Sequence, residues 1–393
     1  MREDARRAAV RATIVGGGIT VVGVLPMFLT GSMAVQITED LGFGATGLGL
    51  AIGIFRGTGA LSAVFTGRLV DRLGGVWSVR LAATIAIVVA LGIGLWARSW
   101  WQLVVWLMIG SAANTIAQPA ANRMLVNRVP PERQGLAFGV KQSAPPVATL
   151  LAGLSVPLVA TTVGWRWAFS LAVILALVVA AGAGRPAPRS APLRRSDGPR
   201  QPLDGRRTLI LLAASFGIGT AASSTIPVFY VDAAVDAGSS SSLAGTMLAV
   251  ASIAAILVRL CGGLAADRMV NGHLRLCAVL LLSGATGLLL LATGDVTLMA
   301  LGAIVGLAGT WGFNGIFFYA VVRSRPKRPG SVTGVIMPGA LTGTSVGPMA
   351  FGVIAGATGY STAWLAAVLV AIAGAAAMLL AARMLGNQEP ASG

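Results

Sequence analysis

Three cationic side chains lie within long apolar runs of this sequence. Arg56 is in the middle of one of them, "LAIGIFRGTGALSAVFTGRLVDRLGG", where no acidic residue comes before Asp71. Lys141 and Arg259 lie nearer the ends of two other runs. A cationic group held away from water needs an anionic or hydrogen-bonding partner. If these runs cross a membrane, the three cations indicate anion recognition.

The composition indicates a membrane protein. Of 393 residues 55% are hydrophobic and 11% charged, and the mean hydropathy is +0.81; about a quarter of the residues of a soluble domain are charged. A spanning helix needs about 20 mainly apolar residues. We predict twelve spans, near residues 13–37, 46–66, 81–97, 101–120, 136–160, 168–184, 208–231, 244–262, 276–293, 296–320, 332–356 and 363–385.

A Pro- and Arg-rich segment divides the spans into two sets of six. We expect an N-terminal six-helix bundle (1–184), a basic linker (185–207) and a C-terminal six-helix bundle (208–393). The net charge of +16 comes from basic residues concentrated in alternate loops. By the positive-inside rule these loops face the cytoplasm, which places both termini there and predicts a multi-pass protein of the cytoplasmic membrane. The basic residues thus report topology, and no nucleic-acid partner is predicted.

The two halves repeat each other. "RVPPERQGLAFGV" (128–140) and "RSRPKRPGSVTGV" (323–335) share Arg, Pro, Arg, Gly, Gly and Val in register. "GRLVDR" (67–72) likewise matches "GLAADR" (263–268). Six spans in each half make this a parallel repeat, in which substrate sites lie near the midplane between halves.

These features resemble the major facilitator superfamily over nearly the whole chain, most specifically in the Gly-x-x-x-Asp-Arg-x-Gly loop that begins at Gly67. The resemblance implies an all-α fold of two pseudo-symmetric six-helix bundles and transport by alternating access. It also implies gating roles for residues of the loop and its copy: Asp71, Arg72, Asp267 and Arg268. The sequence departs from the family pattern at Gly75 and Val76, where basic residues are usual. It also lacks the Gly-Pro-rich motif that drug/proton antiporters of the family carry in span five.

Polar and aromatic residues of the spans extend the candidate site. Asn114 and Gln118 are four residues apart and share a helix face, and the resemblance places their span in the cavity lining. The predicted substrate-binding residues are Arg56, Asn114, Gln118, Lys141, Tyr230, Arg259, Trp311 and Asn314. For Arg56 the alternative is donation to backbone carbonyls or to amides such as Gln118, which would only fix helix packing. For Lys141 and Arg259 the alternative is that their long side chains extend to the cytoplasmic interface. For the amides the alternative is hydrogen bonding between helices.

Glycines recur every four residues in span two (Gly49, Gly53, Gly57) and in span eleven (Gly339, Gly343, Gly347). Such patterns let helix backbones approach closely. Because spans two and eleven meet across the halves in the resembled fold, we expect these glycines to form a contact along which the halves move.

The sequence predicts a secondary transporter of a small anion, a carboxylate or an oxyanion, with a co-transported or exchanged ion as a further partner. The alternative is a proton-coupled efflux pump for drugs or for neutral or lipophilic solutes. An enzyme is not expected, because the spans hold no nucleophile with a base and no acid dyad. No cofactor or metal is predicted, since Cys261, Cys277 and His273 form no ligand cluster, and we expect His273 to be solvated in a loop.

Overall fold

The computed structural model describes residues 2–184, 206–269, 271–324 and 329–386; the side chains of residues 2–5, 64, 131, 206, 267, 322–324, 329–333 and 385–386 are outside this description. Most of the predicted linker (185–207) therefore lies outside the described residues. Fifteen α-helices and one π-helical turn make up the described chain, which contains no strand.

The N-terminal spans are formed by eight α-helices and the π-helical turn. Their bounds are α1 (Arg2–Ser32), α2 (Ala34–Leu41), α3 (Ala45–Leu73), α4 (Gly75–Trp96), α5 (Trp100–Arg128), α6 (Pro131–Gln142), α7 (Ala144–Ser155), the π-helical turn (Val156–Ala160) and α8 (Trp165–Gly182). The C-terminal spans are α9 (Arg206–Ser223), α10 (Ile226–Asp236), α11 (Ser241–Arg268), α12 (His273–Leu291), α13 (Val296–Ser324), α14 (Pro329–Thr358) and α15 (Tyr360–Gly386).

All twelve predicted spans coincide with helices. In the described chain, eleven continuous or gently broken segments are long and apolar enough to cross a membrane. The two parts of α3, Ala45–Ala63 and Phe65–Leu73, make a twelfth across a bend of 59°. The predicted all-α membrane fold is therefore confirmed.

Contacts divide the chain into two units. Unit 1 comprises Met1–Gly42 and Ile54–Gln201, and unit 2 comprises Phe43–Gly53 and Pro202–Gly393. In unit 1, α1 packs against α5, α7 and α8, and α4 packs against α5 and α8. Small residues allow this: a Cβ on Gly23 of α1 would lie 2.9 Å from the Cα of Asn114 of α5.

Unit 2 repeats the internal packing of unit 1. Here α9 packs against α13, α14 and α15, and α12 packs against α13 and α15. These are the same neighbours when spans are matched in order, with α9 in the place of α1 and α12 in that of α4. The packing thus confirms two pseudo-symmetric bundles, as the sequence repeat predicted.

The glycine pattern of span eleven serves a different contact from the one predicted. A Cβ on Gly339, Gly343 or Gly347 would lie 2.1, 2.0 and 2.4 Å from carbonyl oxygens of α9, so these glycines seat α14 on α9 inside unit 2. Of the span-two glycines, Gly49 and Gly53 do contact α14, through its residues Pro348 and Met349, also inside unit 2. Gly57 has nothing within 4 Å of a Cβ position.

Prolines set two of the helix breaks. Pro227 follows the break between α9 and α10, and Pro145 and Pro146 follow the break at Ser143 between α6 and α7. A proline has no N–H, so the carbonyl four residues earlier loses its helical donor. For Pro227 that carbonyl belongs to Ser223, and it becomes part of the site described below.

Candidate functional site

Arg56 has no polar partner in the described part of the chain. It lies half-buried in α3, and no hydrogen bond or ion pair joins its guanidinium to a described residue. On the same helix, Thr58 donates to Ser111 Oγ of α5 at 3.1 Å, and Ser62 lies 3.3 Å from Thr115 Oγ1. Arg56 precedes Thr58 by two residues and so lies about 160° around the helix from it. The structure therefore contains no hydrogen bond between Arg56 and Gln118 of α5, which was one form of the packing alternative.

Lys141 and Gln118 come together in unit 1. Lys141 Nζ donates to Gln118 Oε1 at 2.5 Å and to Gln142 Oε1 at 3.5 Å. The lysine is only 4% exposed, so it does not extend to the interface, which was the alternative for it. An amide oxygen satisfies one of the three ammonium donors but brings no negative charge. The positive charge of Lys141 thus stays in the interior of unit 1.

Asn114 offers an unused acceptor one turn before Gln118. Its Oδ1 atom is buried and has no hydrogen-bond partner among the described residues. The close contact of Gly23 with its Cα fixes this part of α5 against α1. Since buried polar atoms are usually paired, this amide is a candidate for contact with a bound solute or water.

In unit 2, Arg259, Trp311 and Asn314 share one carbonyl. The carbonyl of Trp311 accepts from Arg259 Nε at 3.0 Å and from Asn314 Nδ2 at 3.4 Å, and the guanidinium carbon of Arg259 lies 5.8 Å from the indole centre. Arg259 therefore points to α13 rather than to the interface. The structure thus brings three predicted residues of unit 2 together.

The Trp311 ring is held by the broken span. Its Nε1 donates to the carbonyl of Ser223 at 2.8 Å, the carbonyl that Pro227 leaves without a helical donor. Tyr230, beyond the same break, is 2% exposed, and no hydrogen bond joins it to Arg259, Trp311 or Asn314. Tyr230 is therefore not tied to this cluster by a hydrogen bond.

The loop motif contacts α5. Arg123 Nη1 lies 3.5 Å from Asp71 Oδ1 and donates to the Asp71 carbonyl at 3.3 Å. Arg123 lies beyond the predicted end of span four at residue 120, but α5 extends through it and it is buried. Arg72 is exposed. In the copied motif Arg268 is exposed, and the side chain of Asp267 lies outside the described residues.

Sequence reasoning missed three polar contacts. Tyr360 donates to the Asp232 carboxylate in unit 2, and Arg166 donates to the Asp40 carboxylate in unit 1. His273 is buried rather than solvated: its Nε2 is 3.0 Å from the Ala266 carbonyl and its ring packs on Tyr319. Its place at the first residue of α12, next to the end of α11, brings it inside. No group of three His, Cys, Asp or Glu among the described side chains fits a metal ion.

A sequence profile of the Major Facilitator Superfamily matches residues 16–336. The chain belongs to the major facilitator superfamily. This makes it a membrane transporter rather than an enzyme, as the sequence predicted. A comparison with curated protein sequences gives no match.

Solved transporters of the superfamily share its fold. A bacterial homologue of the human lysosomal transporter Spinster, in an inward-facing and occupied conformation, aligns with a TM-score of 0.79 at 17% identity, over 99% of both chains. A point mutant of the nucleoside transporter NupG aligns with a TM-score of 0.73 at 16% identity, over 93% of this chain and 99% of that one. A D-xylose-proton symporter gives 0.75 at 13% identity, over 94% and 96%. At these identities the likeness establishes the fold alone.

Proposed function

We propose that this major facilitator superfamily protein carries a small organic or inorganic anion by alternating access, and that Arg56 contacts the anion. The observation that carries the proposal is a guanidinium within a span that has no partner among the described residues. Arg56 lies about 16 Å from the first residue of α3 and about 10 Å from Ala63, where the straight part of the helix ends, at 1.5 Å per residue. Its side chain is too short to reach either end.

An arginine at this depth is costly. Insertion scales put a central arginine at about 2.5–3.5 kcal/mol, so such residues face a cavity or a partner. The described carboxylates nearest the spans are bonded elsewhere: Asp40 to Arg166, Asp71 to Arg123 and Asp232 to Tyr360. An anionic cargo would supply the missing charge, and the planar guanidinium suits a carboxylate or oxyanion because it can donate two parallel hydrogen bonds.

The second cation of unit 1 supports the same substrate charge. Lys141 is bonded to neutral amides, so Lys141, like Arg56, is a cation inside a predicted span of unit 1 with no described carboxylate partner. The free acceptor of Asn114 would suit a hydroxyl or a protonated oxygen of the same solute. For unit 2 we propose that Arg259 and Asn314 order the Trp311 carbonyl as part of the transport path, and that Tyr230 has a packing role.

The test is ligand-induced thermal stabilisation of purified wild type, Arg56→Gln, Arg56→Lys and the exposed-loop control Arg98→Gln. The panel holds mono- and dicarboxylates, inorganic oxyanions, sugars and cationic drugs. A ligand at a hundred times its Kd stabilises the folded state by about 2.7 kcal/mol. We expect an anion to stabilise wild type and Arg98→Gln, to lose its effect on Arg56→Gln and to keep part of it on Arg56→Lys. Equal stabilisation of all four proteins by a neutral or cationic compound would refute the proposal.

A flux measurement separates a carrier from a channel. With the stabilising anion loaded inside proteoliposomes, labelled anion outside should accumulate transiently by exchange. Flux that neither saturates nor responds to solute on the opposite side would contradict alternating access.

A proton-coupled carrier of a neutral solute is the second candidate. One of the solved structures with this fold is of a D-xylose-proton symporter. In this chain the Asp232 carboxylate accepts a hydrogen bond from Tyr360 and could exchange a proton. Substrate-driven alkalinisation that is present in wild type and absent in Asp232→Asn would favour this candidate over the first.

We also propose that both termini lie in the cytoplasm, following the distribution of basic residues. The test adds one exposed cysteine at a time, Arg98→Cys before α5 or Glu132→Cys at the start of α6, in a Cys261→Ser background that keeps only the buried Cys277. A membrane-impermeant maleimide should label position 98 in intact cells and position 132 only after permeabilisation. The reverse pattern would invert the topology.

A further inference from the structure

A groove between α1 and α8 carries arginines at one end and apolar side chains along its walls. Its cavity of about 530 Å³ is lined by Arg6, Arg7, Arg11, Val10, Ile14 and Val178 among others. We propose that this groove binds an anionic phospholipid, with the headgroup phosphate on the arginines and an acyl chain along the apolar wall. The site belongs to unit 1 alone and is independent of the proposed substrate.

The charged end of the groove is built from a wider arginine cluster. Arg11 Nε donates to the Gly182 carbonyl at 2.8 Å, Arg128 Nη1 to Ala183 at 3.3 Å and Arg80 Nη2 to Gly184 at 3.1 Å. These carbonyls lie at the end of α8, where the last carbonyls of a helix lack backbone donors and carry partial negative charge. In these three contacts the arginines donate to neutral carbonyl groups and keep their full positive charge. The cluster therefore attracts anions.

Arg6 and Arg7 stand at the mouth of the groove. Both are exposed and one helical turn before Val10 and Arg11 on α1. Their long side chains can meet a phosphate without giving up the contacts that hold the end of α8. We therefore substitute these two arginines and check the fold of the variant separately.

The apolar wall distinguishes a lipid from a free anion. Ile14 is 66% exposed and Val178 63% exposed, and both line the groove with Val10. Gly182 keeps the two helices close, since a Cβ there would lie 3.0 Å from Val15 Cγ2. A soluble phosphate has no apolar part that could pack against this wall. A phospholipid can contact both the charged end of the groove and its apolar side. Basic residues beside a span are a recognised site for anionic headgroups.

The experiment measures lipid binding to the purified, delipidated full-length protein by native mass spectrometry. The probes are phosphatidylglycerol, phosphatidylcholine with the same acyl chains, and soluble glycerol phosphate. The variants are Arg6→Gln/Arg7→Gln, the groove-filling Val178→Trp, and a control of equal charge change, Arg275→Gln/Arg383→Gln, at residues of α12 and α15 in unit 2.

We expect wild type to prefer phosphatidylglycerol over phosphatidylcholine. Because a basic residue near an anionic lipid surface contributes about fivefold in affinity, Arg6→Gln/Arg7→Gln should weaken phosphatidylglycerol binding roughly 30-fold, and the control pair by less than about threefold. Val178→Trp should weaken binding while leaving all charges in place. Circular dichroism and elution volume would show that each variant remains folded.

Three results would overturn the proposal. One is equal binding of the two lipids by wild type. Another is equal loss in the two arginine pairs, which would mean that only net charge matters. The third is competition by glycerol phosphate at the same concentration as the lipid, with Val178→Trp unaffected, which would make the groove a site for free anions.

Discussion

The indole of Trp311 donates to the carbonyl of Ser223 at 2.8 Å, and Pro227 is the residue that deprives this carbonyl of its helical donor. The helix break in span seven and the tryptophan of span ten are therefore joined by one hydrogen bond. A carbonyl freed inside a membrane is costly unless another group satisfies it. The backbone carbonyl of Trp311 also accepts a hydrogen bond from Arg259, so the same tryptophan links the break to the cation of span eight.

The first prediction concerns this bond. Trp311→Phe keeps an aromatic ring but leaves the Ser223 carbonyl without the indole donor, and we expect a loss of roughly 1–2 kcal/mol in the free energy of unfolding. The measurement is denaturation in micelles, with Trp101→Phe as the control because Trp101 is 68% exposed.

A double-mutant cycle sharpens the test. Pro227→Ala restores an N–H that can reach the Ser223 carbonyl, so Trp311→Phe should cost less in that background. Equal costs in both backgrounds would mean that the indole–carbonyl bond has no energetic link to the break.

The second prediction separates the hydrogen bond of Lys141 from its charge. Gln118→Leu removes the acceptor of a buried ammonium group and should destabilise by about 1.5–3 kcal/mol, the range for hydrogen bonds to charged groups. Gln118→Glu keeps an acceptor and adds a negative charge, so the fold should be retained while anion binding weakens. Unfolding and ligand-stabilisation measurements on both variants test this; undiminished anion binding by Gln118→Glu would remove Lys141 from the substrate site.

The third prediction uses two glycines of α1. A Cβ on Gly23 would lie 2.9 Å from Asn114 Cα, whereas at Gly17 the nearest atom is 3.8 Å away. Gly23→Ala forces α1 and α5 apart and should cost about 1–3 kcal/mol. Gly17→Ala should be neutral or stabilising by up to about 1 kcal/mol, because alanine favours a helix over glycine. The measurement is thermal unfolding of the two variants. Equal changes in their stability would contradict the observed packing.

The fourth prediction concerns the loop motif. The Asp71 side chain is 55% exposed, so its pair with Arg123 should contribute less than about 1 kcal/mol to stability. If the pair has the gating role implied by the superfamily, Asp71→Asn should slow transport severalfold with little change in unfolding. Glu132→Gln, which removes an exposed carboxylate at the start of α6, is the control. A normal transport rate in Asp71→Asn would make the pair a surface contact only.

Much of the fold could be read from the residues because its signals are local or periodic. Each span is a long, mainly apolar run, so all twelve spans could be predicted, and a shared offset between "RVPPERQGLAFGV" and "RSRPKRPGSVTGV" predicted two like bundles. The motif from Gly67 to Gly74 was specific enough to indicate the superfamily. Boundaries were less well predicted: α5 continues to Arg128 because Asn122 and Arg123, although polar, remain helical, and Arg123 finds a partner in Asp71.

The sequence by itself determined the membrane-spanning helices, their repeat and the presence of three cations among them, because hydropathy and spacing lie within short stretches of chain. Only the tertiary structure decided what those cations contact. The hydrogen bonds join residues that are far apart in the sequence: Lys141 and Gln118 are 23 residues apart, Arg259 and Trp311 are 52 apart, and Trp311 and Ser223 are 88 apart. Burial of His273 and the seating of the α14 glycines on α9 were likewise set by packing. Hydrogen bonding and close approach depend on which helix faces are brought together, and no local pattern in the chain specifies that pairing.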